Sequence, residues 1–239
     1  MRHSNIVPLF KDRYDAGRKL AEKLISYVGR AVIVLGIPNG GAAVALAVAI
    51  ALNAELDLII SRKIPLPLMP EGGFGSVTDD GTLILNDEIV RQAKLTPQQI
   101  NYQVSRVRAE IRQRSLLYHD NHHPVALKGR TVIVVDDGLA SGYTMRAAIV
   151  SLRQRRPEKI VAAVPVAPEH ILAEVRPLAD SVVTVAIGKE KVFYLSDYYR
   201  YWQDITDTEV LACLKECRMR RNRPGIEIPG KNEPADGKF

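Results

Sequence analysis

The chain holds 239 residues, 46% hydrophobic and 25% charged, a composition that excludes collagen-like, low-complexity and wholly disordered chains. A chain of this length can bury roughly 70–75% of its extended surface, enough for one full core or two small domains. Its net charge of +6 suits an anionic ligand, whether small phosphates or nucleic acid.

Residues 12–28 (DRYDAGRKLAEKLISYV) place Ala16, Leu20, Leu24 and Val28 at helical spacing. Ala31–Leu35 reads as a short strand, Gly36–Gly41 (GIPNGG) as a turn, and Ala42–Leu52 as an Ala/Val-rich helix packed on a sheet. That apolar run, the longest in the chain, falls short of the roughly 20 residues of a membrane span. With no signal peptide to be seen, a cytoplasmic protein without a membrane partner is expected. Glu55–Ser61 (ELDLIIS) supplies a second strand and completes a strand–helix–strand unit.

Arg62–Gly81 is rich in proline and glycine and has no helical period, so it reads as a loop or loose hairpin, long enough to serve as a lid. Thr82–Leu85 is a candidate short strand. Thr96-Pro97-Gln98-Gln99 opens a helix: Thr caps, Pro sits in the first turn, and Gln follows three after the cap. In that helix Ile100, Val104, Val107 and Ile111 face inward. Arg106, Arg108, Arg112 and Arg114 lie on the other side, as a solvated face or, as the lesser alternative, a nucleic-acid contact.

His122 and His123 fall in a polar turn (His119–Pro124) and are expected to be exposed rather than metal ligands. Thr131–Val135 is a strand, followed by a helix to about Arg155. Strands Lys159–Val164 and Ser181–Ala186 flank a helix at Pro168–Val175. This alternation predicts an α/β fold, doubly wound around a mostly parallel sheet. Aromatics concentrate in residues 193–202 (FYLSDYYRYW). Thr206-Asp207-Thr208-Glu209 is a capping box opening a last helix through about Arg218. Cys213 and Cys217 share a face of that helix and read as packing thiols rather than half a metal site. Sparse cysteine agrees with a reducing cytoplasm. Asn222–Phe239 reads as a disordered tail.

Chemistry concentrates in Val132–Thr144 (VIVVDDGLASGYT). An apolar strand buried on both faces ends in two aspartates, and a turn of glycines and hydroxyls opens a helix. Ligands of parallel sheets bind at such carboxyl ends. The free N–H groups and dipole of the helix start suit a phosphate, to which Ser141 and Thr144 add donors. Asp136 and Asp137 would repel that phosphate, so they are expected to face sugar hydroxyls, Mg²⁺ or both. Phosphate beside a diol describes a ribose 5-phosphate.

The stretch VIVVDDGLASGYTM closely resembles the motif by which type I phosphoribosyltransferases bind phosphoribosyl pyrophosphate (PRPP). Residues 10–215 resemble one group of that family, predicted phosphoribosyltransferases of uncertain acceptor, through DRYDAG, IPNGG, SRKIPLPLMPEGGFGSV and ITDTEV. The resemblance implies a type I fold with a long flexible loop and a small hood. One domain is expected over 1–221, with hood segments near 1–15 and 190–205. It implies that Asp136 and Asp137 hold the ribose hydroxyls. Gly138, Leu139, Ala140, Ser141, Gly142, Tyr143 and Thr144 would cradle the 5-phosphate. Pro38, Asn39, Gly40 and Gly41 would form the pyrophosphate loop. That loop commonly reads PRGG in this group, so Asn39 removes one positive contact. Arg62 and Lys63 would meet the leaving group, and Glu71 with the Gly72-Gly73-Phe74-Gly75 hinge would work in a catalytic lid. Mg²⁺ would be held mainly through PRPP, with Asp136 and Asp137 as the protein's candidate ligands. Members that use 6-oxopurines usually carry Asp where Ala140 stands, which disfavours those acceptors. Phe193, Tyr194 and Tyr198 match the base-covering hood, where they would stack a planar small-molecule acceptor or else pack the last helix. A homo-oligomer, such as a dimer, is implied. The alternative function is a non-catalytic sensor of PRPP or a nucleotide on the same fold.

Overall fold

The computed structural model describes residues 7–118, 125–190 and 192–221. The predicted turn with His122 and His123 and the predicted tail at 222–239 lie outside the described residues. Five parallel strands form the central sheet: β1 (Val32–Gly36), β2 (Glu55–Leu58), β6 (Thr131–Val135), β7 (Lys159–Pro168) and β8 (Ser181–Gly188). Their order is β2-β1-β6-β7-β8. β1 is buried throughout, as is β6 after Thr131, so neither alternates polar with apolar; helices cover both faces of the sheet. The expected α/β class and parallel sheet are present. β7 and β8 run past their predicted ends because their pairing continues to Pro168–Gly188.

The expected strand at Glu55–Ser61 divides in two. β2 stops at Leu58, Ile59 donates to Gly36 O and Asp79 donates to Ile60 O. The chain there leaves the parallel sheet for an antiparallel one, order β3-β4-β5, made of β3 (Ser61–Leu66), β4 (Met69–Thr78) and β5 (Leu83–Leu85). The stretch read as a loop or loose hairpin is thus an ordered hairpin. Its Ile64, Phe74 and Val77 are fully buried, and Pro65 is accommodated where the register shifts. A short helix, α3 (Asp87–Gln92), follows, capped by Asn86; its apolar pattern is too brief to show in sequence.

Helix α1 (Arg13–Lys23) is capped by Asp12, which accepts from Asp15 N–H at 2.8 Å. It docks on α2 (Gly40–Leu52), whose alanine-rich surface is buried nearly all round. The contact is close: a Cβ on Gly17 would stand 2.5 Å from Val44 O and 2.7 Å from Ala47 Cβ. Both predicted capping boxes form. Thr96 and Gln99 exchange bonds of 2.9 and 3.2 Å at the start of α4 (Pro97–Tyr118). Thr206 and Glu209 do so at 2.7 and 3.2 Å where α7 (Asp207–Arg221) begins. Helices α5 (Tyr143–Gln154) and α6 (Glu169–Val175) complete the layers. No helix among the described residues is long and apolar enough to cross a membrane.

Candidate active site

From β1 the chain winds outward to β2 on one side, and from β6 to β7 and β8 on the other. The strand order therefore reverses between β1 and β6, the place where open parallel sheets bind ligands. The turn Pro38–Gly41 and the loop Asp136–Gly142 leave those two strand ends and touch. A Cβ on Gly40 would lie 2.0 Å from Asp137 Oδ2, and one on Gly41 would lie 2.8 Å from Val135 O. Only glycine lets the two segments approach this closely. The turn contains a cis peptide bond between Pro38 and Asn39.

The loop after β6 uses its side chains as anchors. Leu139 is buried and donates its N–H to Val166 O at 3.1 Å. Tyr143 is buried, with its hydroxyl bonded to Asn86 Nδ2 at 2.7 Å. Gly138 has φ +154°, and a Cβ there would meet Leu195 Cδ1 at 2.2 Å. Ala140 and Ser141 are exposed. The first helical bond of α5 runs from Arg146 N–H to Gly142 O, and Gly142 offers no side-chain cap. The N–H groups before Arg146 are thus left by the helix itself, and they form an electropositive mouth. Of the two hydroxyls predicted to serve it, Thr144 turns to Asp136 Oδ2 at 3.4 Å, and Ser141 stands at the opening.

The two aspartates are in opposite electrical situations. Asp137 is buried and ion-paired with buried Arg13, Nε to Oδ2, at 2.7 Å. Arg13 also donates to Gln203 O and lies 3.8 Å over the Trp202 ring. Tyr199 donates to the Asp137 carbonyl at 2.5 Å, and burial raises its phenol well above the ordinary value. Among the described residues Asp136 has no ion-pair partner. Burial, and after it the Asp137 carboxylate, push its carboxyl well above the usual carboxylate range. Arg13 was not anticipated as a site residue, although DRYDAG contains it. A cap (Asp12), a small docking residue (Gly17) and an arginine one turn from it were the available signals.

The Asn39 side chain bonds three distant partners. Its Nδ2 donates to Ile205 O at 2.8 Å and to Asp207 Oδ1 at 2.9 Å, and its Oδ1 accepts from Arg114 Nη1. Tyr118 donates to the same Asp207 oxygen at 2.5 Å, which draws the Asp207 carboxyl below its usual range. Arg114 therefore leaves the expected solvated face of α4. Arg106 and Arg112 stay exposed on that face, and Arg108 reaches Gly81 O at 3.4 Å.

Arg62 and Lys63 are not brought together as expected, because neighbours on a strand point to opposite faces. Arg62 turns to Glu110 at 3.5 Å, whereas Lys63 bonds the Glu71 carbonyl at 2.5 Å. Glu71 is exposed near the hairpin end, while Phe74, read as part of a hinge, is core. Among the aromatics, Tyr198 is buried and bonds Glu190, and Phe193 packs on it with ring centroids 5.2 Å apart. Those two pack with Phe10, Val166 and Tyr199 and not on the last helix; Tyr194 is exposed. The segment's contribution to the aspartates comes from Tyr199 and Trp202 instead. Burial pushes the Cys213 thiol up to about 11 and raises Cys217 as well, in keeping with packing roles.

A family model described as the phosphoribosyl transferase domain matches residues 78–197, from the end of β4 through the loop after β6 to the aromatic segment. A Mycobacterium tuberculosis protein named "Putative phosphoribosyl transferase Rv0571c" is 38% identical over 206 residues, covering 86% of this chain and 46% of that protein. The chain thus spans about half the length of the curated relatives it matches. The crystal structure of TT1426 from Thermus thermophilus is 36% identical, with a TM-score of 0.71 over 87% of this chain and 98% of the other. A matched domain that contains the loop after β6, on a sheet whose strand order reverses beside that loop, leaves one conclusion: the chain belongs to the phosphoribosyl transferase domain family, of type I.

Proposed function

We propose that the chain is a phosphoribosyltransferase, moving the 5-phosphoribosyl group of PRPP to a nitrogen or other nucleophile with release of pyrophosphate. The observation that carries this reading is the contact of Gly40 with Asp137 beside the uncapped start of α5. It puts a phosphate mouth, two carboxylates and a second helix start within one substrate's reach. The 5-phosphate takes the N–H groups before Arg146 and the Ser141 hydroxyl. Arg13 holds Asp137 Oδ2, leaving Oδ1 to accept from a ribose hydroxyl, with Asp136 beside it. The pyrophosphate lies over Asn39, Gly40 and Gly41. Attack at C1 breaks its bond to the pyrophosphate oxygen, which leaves with the bonding pair as the nucleophile's proton departs. The hairpin bearing Lys63 and Glu71 covers the centre against water.

Among the described residues no three His, Cys, Asp or Glu side chains converge as a metal site. Two carboxylates still fit Mg²⁺, which commonly takes one or two from the protein and the rest from phosphates and water. Asp136 and Asp137 are the residues that would hold it, and bound with PRPP it offsets leaving-group charge. The bridge from Phe10 to Tyr199 supports a hood made from both ends of one domain. A cytoplasmic homodimer acting on a small-molecule acceptor completes the reading.

The test is pyrophosphate release from PRPP and Mg²⁺ across a panel of bases. Release is expected with at least one acceptor and near-abolition in Asp137→Asn. Tight PRPP binding without release from any acceptor would instead favour the sensor alternative.

A further inference from the structure

The geometry points to Arg114, beside Arg62, as the cation that meets the pyrophosphate group, standing in for the arginine the turn itself lacks. This rests on the proposed phosphoribosyl transfer and adds to it a residue from a helix outside the PRPP motif. The first argument is position. Arg114 Nη1 donates to Asn39 Oδ1 across 75 residues of sequence. Its guanidinium therefore stands against the side chain that immediately precedes Gly40-Gly41, where an arginine of the turn would otherwise begin.

The second argument is charge. Arg62 and Arg114 lie near enough that, after burial, the Arg114 charge is the largest influence lowering the Arg62 pKa. Their counter-charges are loose. Glu110 is 3.5 Å from Arg62 and also serves Arg106 at 3.8 Å. Asp207 is 3.7 Å from Arg114, and its Oδ1 already accepts from Tyr118 and Asn39. Contacts at those lengths attract without making good hydrogen bonds. Two guanidiniums, with side chains 32% and 24% exposed, thus sit together with Glu110 and Asp207 held at ion-pair and not close hydrogen-bond distance. An anion placed between them relieves that repulsion.

The third argument is donor capacity. A guanidinium carries five N–H donors in a planar fork, and Asn39 takes one of those on Arg114. Forks of this kind bind phosphate oxygens two at a time. Pinning Asn39 alone would need one neutral donor, such as a glutamine amide, and would not require a second cation beside Arg62.

The experiment is calorimetric titration of the full chain and of Arg114→Gln with three probes: PRPP, inorganic pyrophosphate and ribose 5-phosphate, each with Mg²⁺. The expected result is a roughly 10- to 100-fold loss of affinity for PRPP and pyrophosphate, the scale of a lost charged hydrogen bond. Ribose 5-phosphate affinity stays within about twofold, since it lacks the group in question. Equal losses for all three probes would assign Arg114 a purely structural role and overturn the inference, as would no loss. If Arg114→Gln does not fold, Arg114→Lys keeps the charge without the fork. It is expected to show a smaller loss confined to PRPP and pyrophosphate, and wild-type affinity for both would count against the inference. Failure of the unsubstituted chain to bind PRPP would sink the phosphoribosyl reading itself, a result separable from any of these.

Discussion

The two segments that meet between β1 and β6 are built by opposite means. In the loop after β6, Leu139 and Tyr143 are buried anchors and the open face is backbone. In the turn after β1, the Asn39 side chain is committed to Ile205, Asp207 and Arg114. Both lead into helices without a side-chain cap, whereas Asp12, Asn86, Thr96 and Thr206 cap α1, α3, α4 and α7. A missing cap costs about 1 kcal/mol, so α2 and α5 keep N-termini that an anion can satisfy; short α6, entered through Pro168, is the other uncapped helix. A site made of contiguous backbone can be read from one stretch of sequence. A site completed by distant side chains cannot.

Arg13 joins the two segments, and removing it should have the largest effect. Arg13→Met leaves the buried Asp137 carboxylate without its cation, a loss of about 3–5 kcal/mol that urea denaturation would measure. A change below about 1 kcal/mol would mean that the segments hold together without it. Next, Asn39→Ala and Ser141→Ala should separate. The first frees Ile205 O, Asp207 and Arg114 and should cost about 1–3 kcal/mol. The second should change stability by no more than about 0.5 kcal/mol while still weakening ribose 5-phosphate binding. Equal destabilisation by both would break the contrast.

A further effect has the opposite sign. Because the folded state raises the Asp136 pKa above its ordinary 3.8, the folded chain holds that proton more tightly than the unfolded one. Stability is then lost as pH rises from about 4 through the raised value. Asp136→Asn should melt higher than the parent at about pH 7 and no differently below about pH 4. A variant that melts lower near neutral pH would show that the carboxylate stabilises the ligand-free fold.

Much of this was legible. The central strands announced themselves as unbroken apolar runs, both capping boxes formed where Thr96 and Thr206 indicated, and the loop after β6 lay in one contiguous motif. The hairpin was harder, because β4 is buried without alternation from Phe74 to Thr78 and its glycines carry no apolar signal. Arg62 and Lys63 looked equivalent until the strand turned them apart. The contacts of Arg13 and Arg114 were hard to read because their partners stand 124 and 75 positions away. In a local window both are ordinary helix-surface arginines.

The docking of Gly17 on α2 acts as a gauge for the site. Arg13 and Gly17 are one turn apart on α1, as Gly40 and Val44 are on α2, and the two pairs face each other: Gly17 against Val44 O, Arg13 Nε against the Cβ position of Gly40. Four residues are about 6 Å of helix rise, so any thickening at Gly17 is carried almost undiminished to the guanidinium that holds Asp137. The spacing of these helices, set where no substrate reaches, therefore fixes the aim of the carboxylate. The distance between α1 and α2 cannot change without moving Arg13 from Asp137.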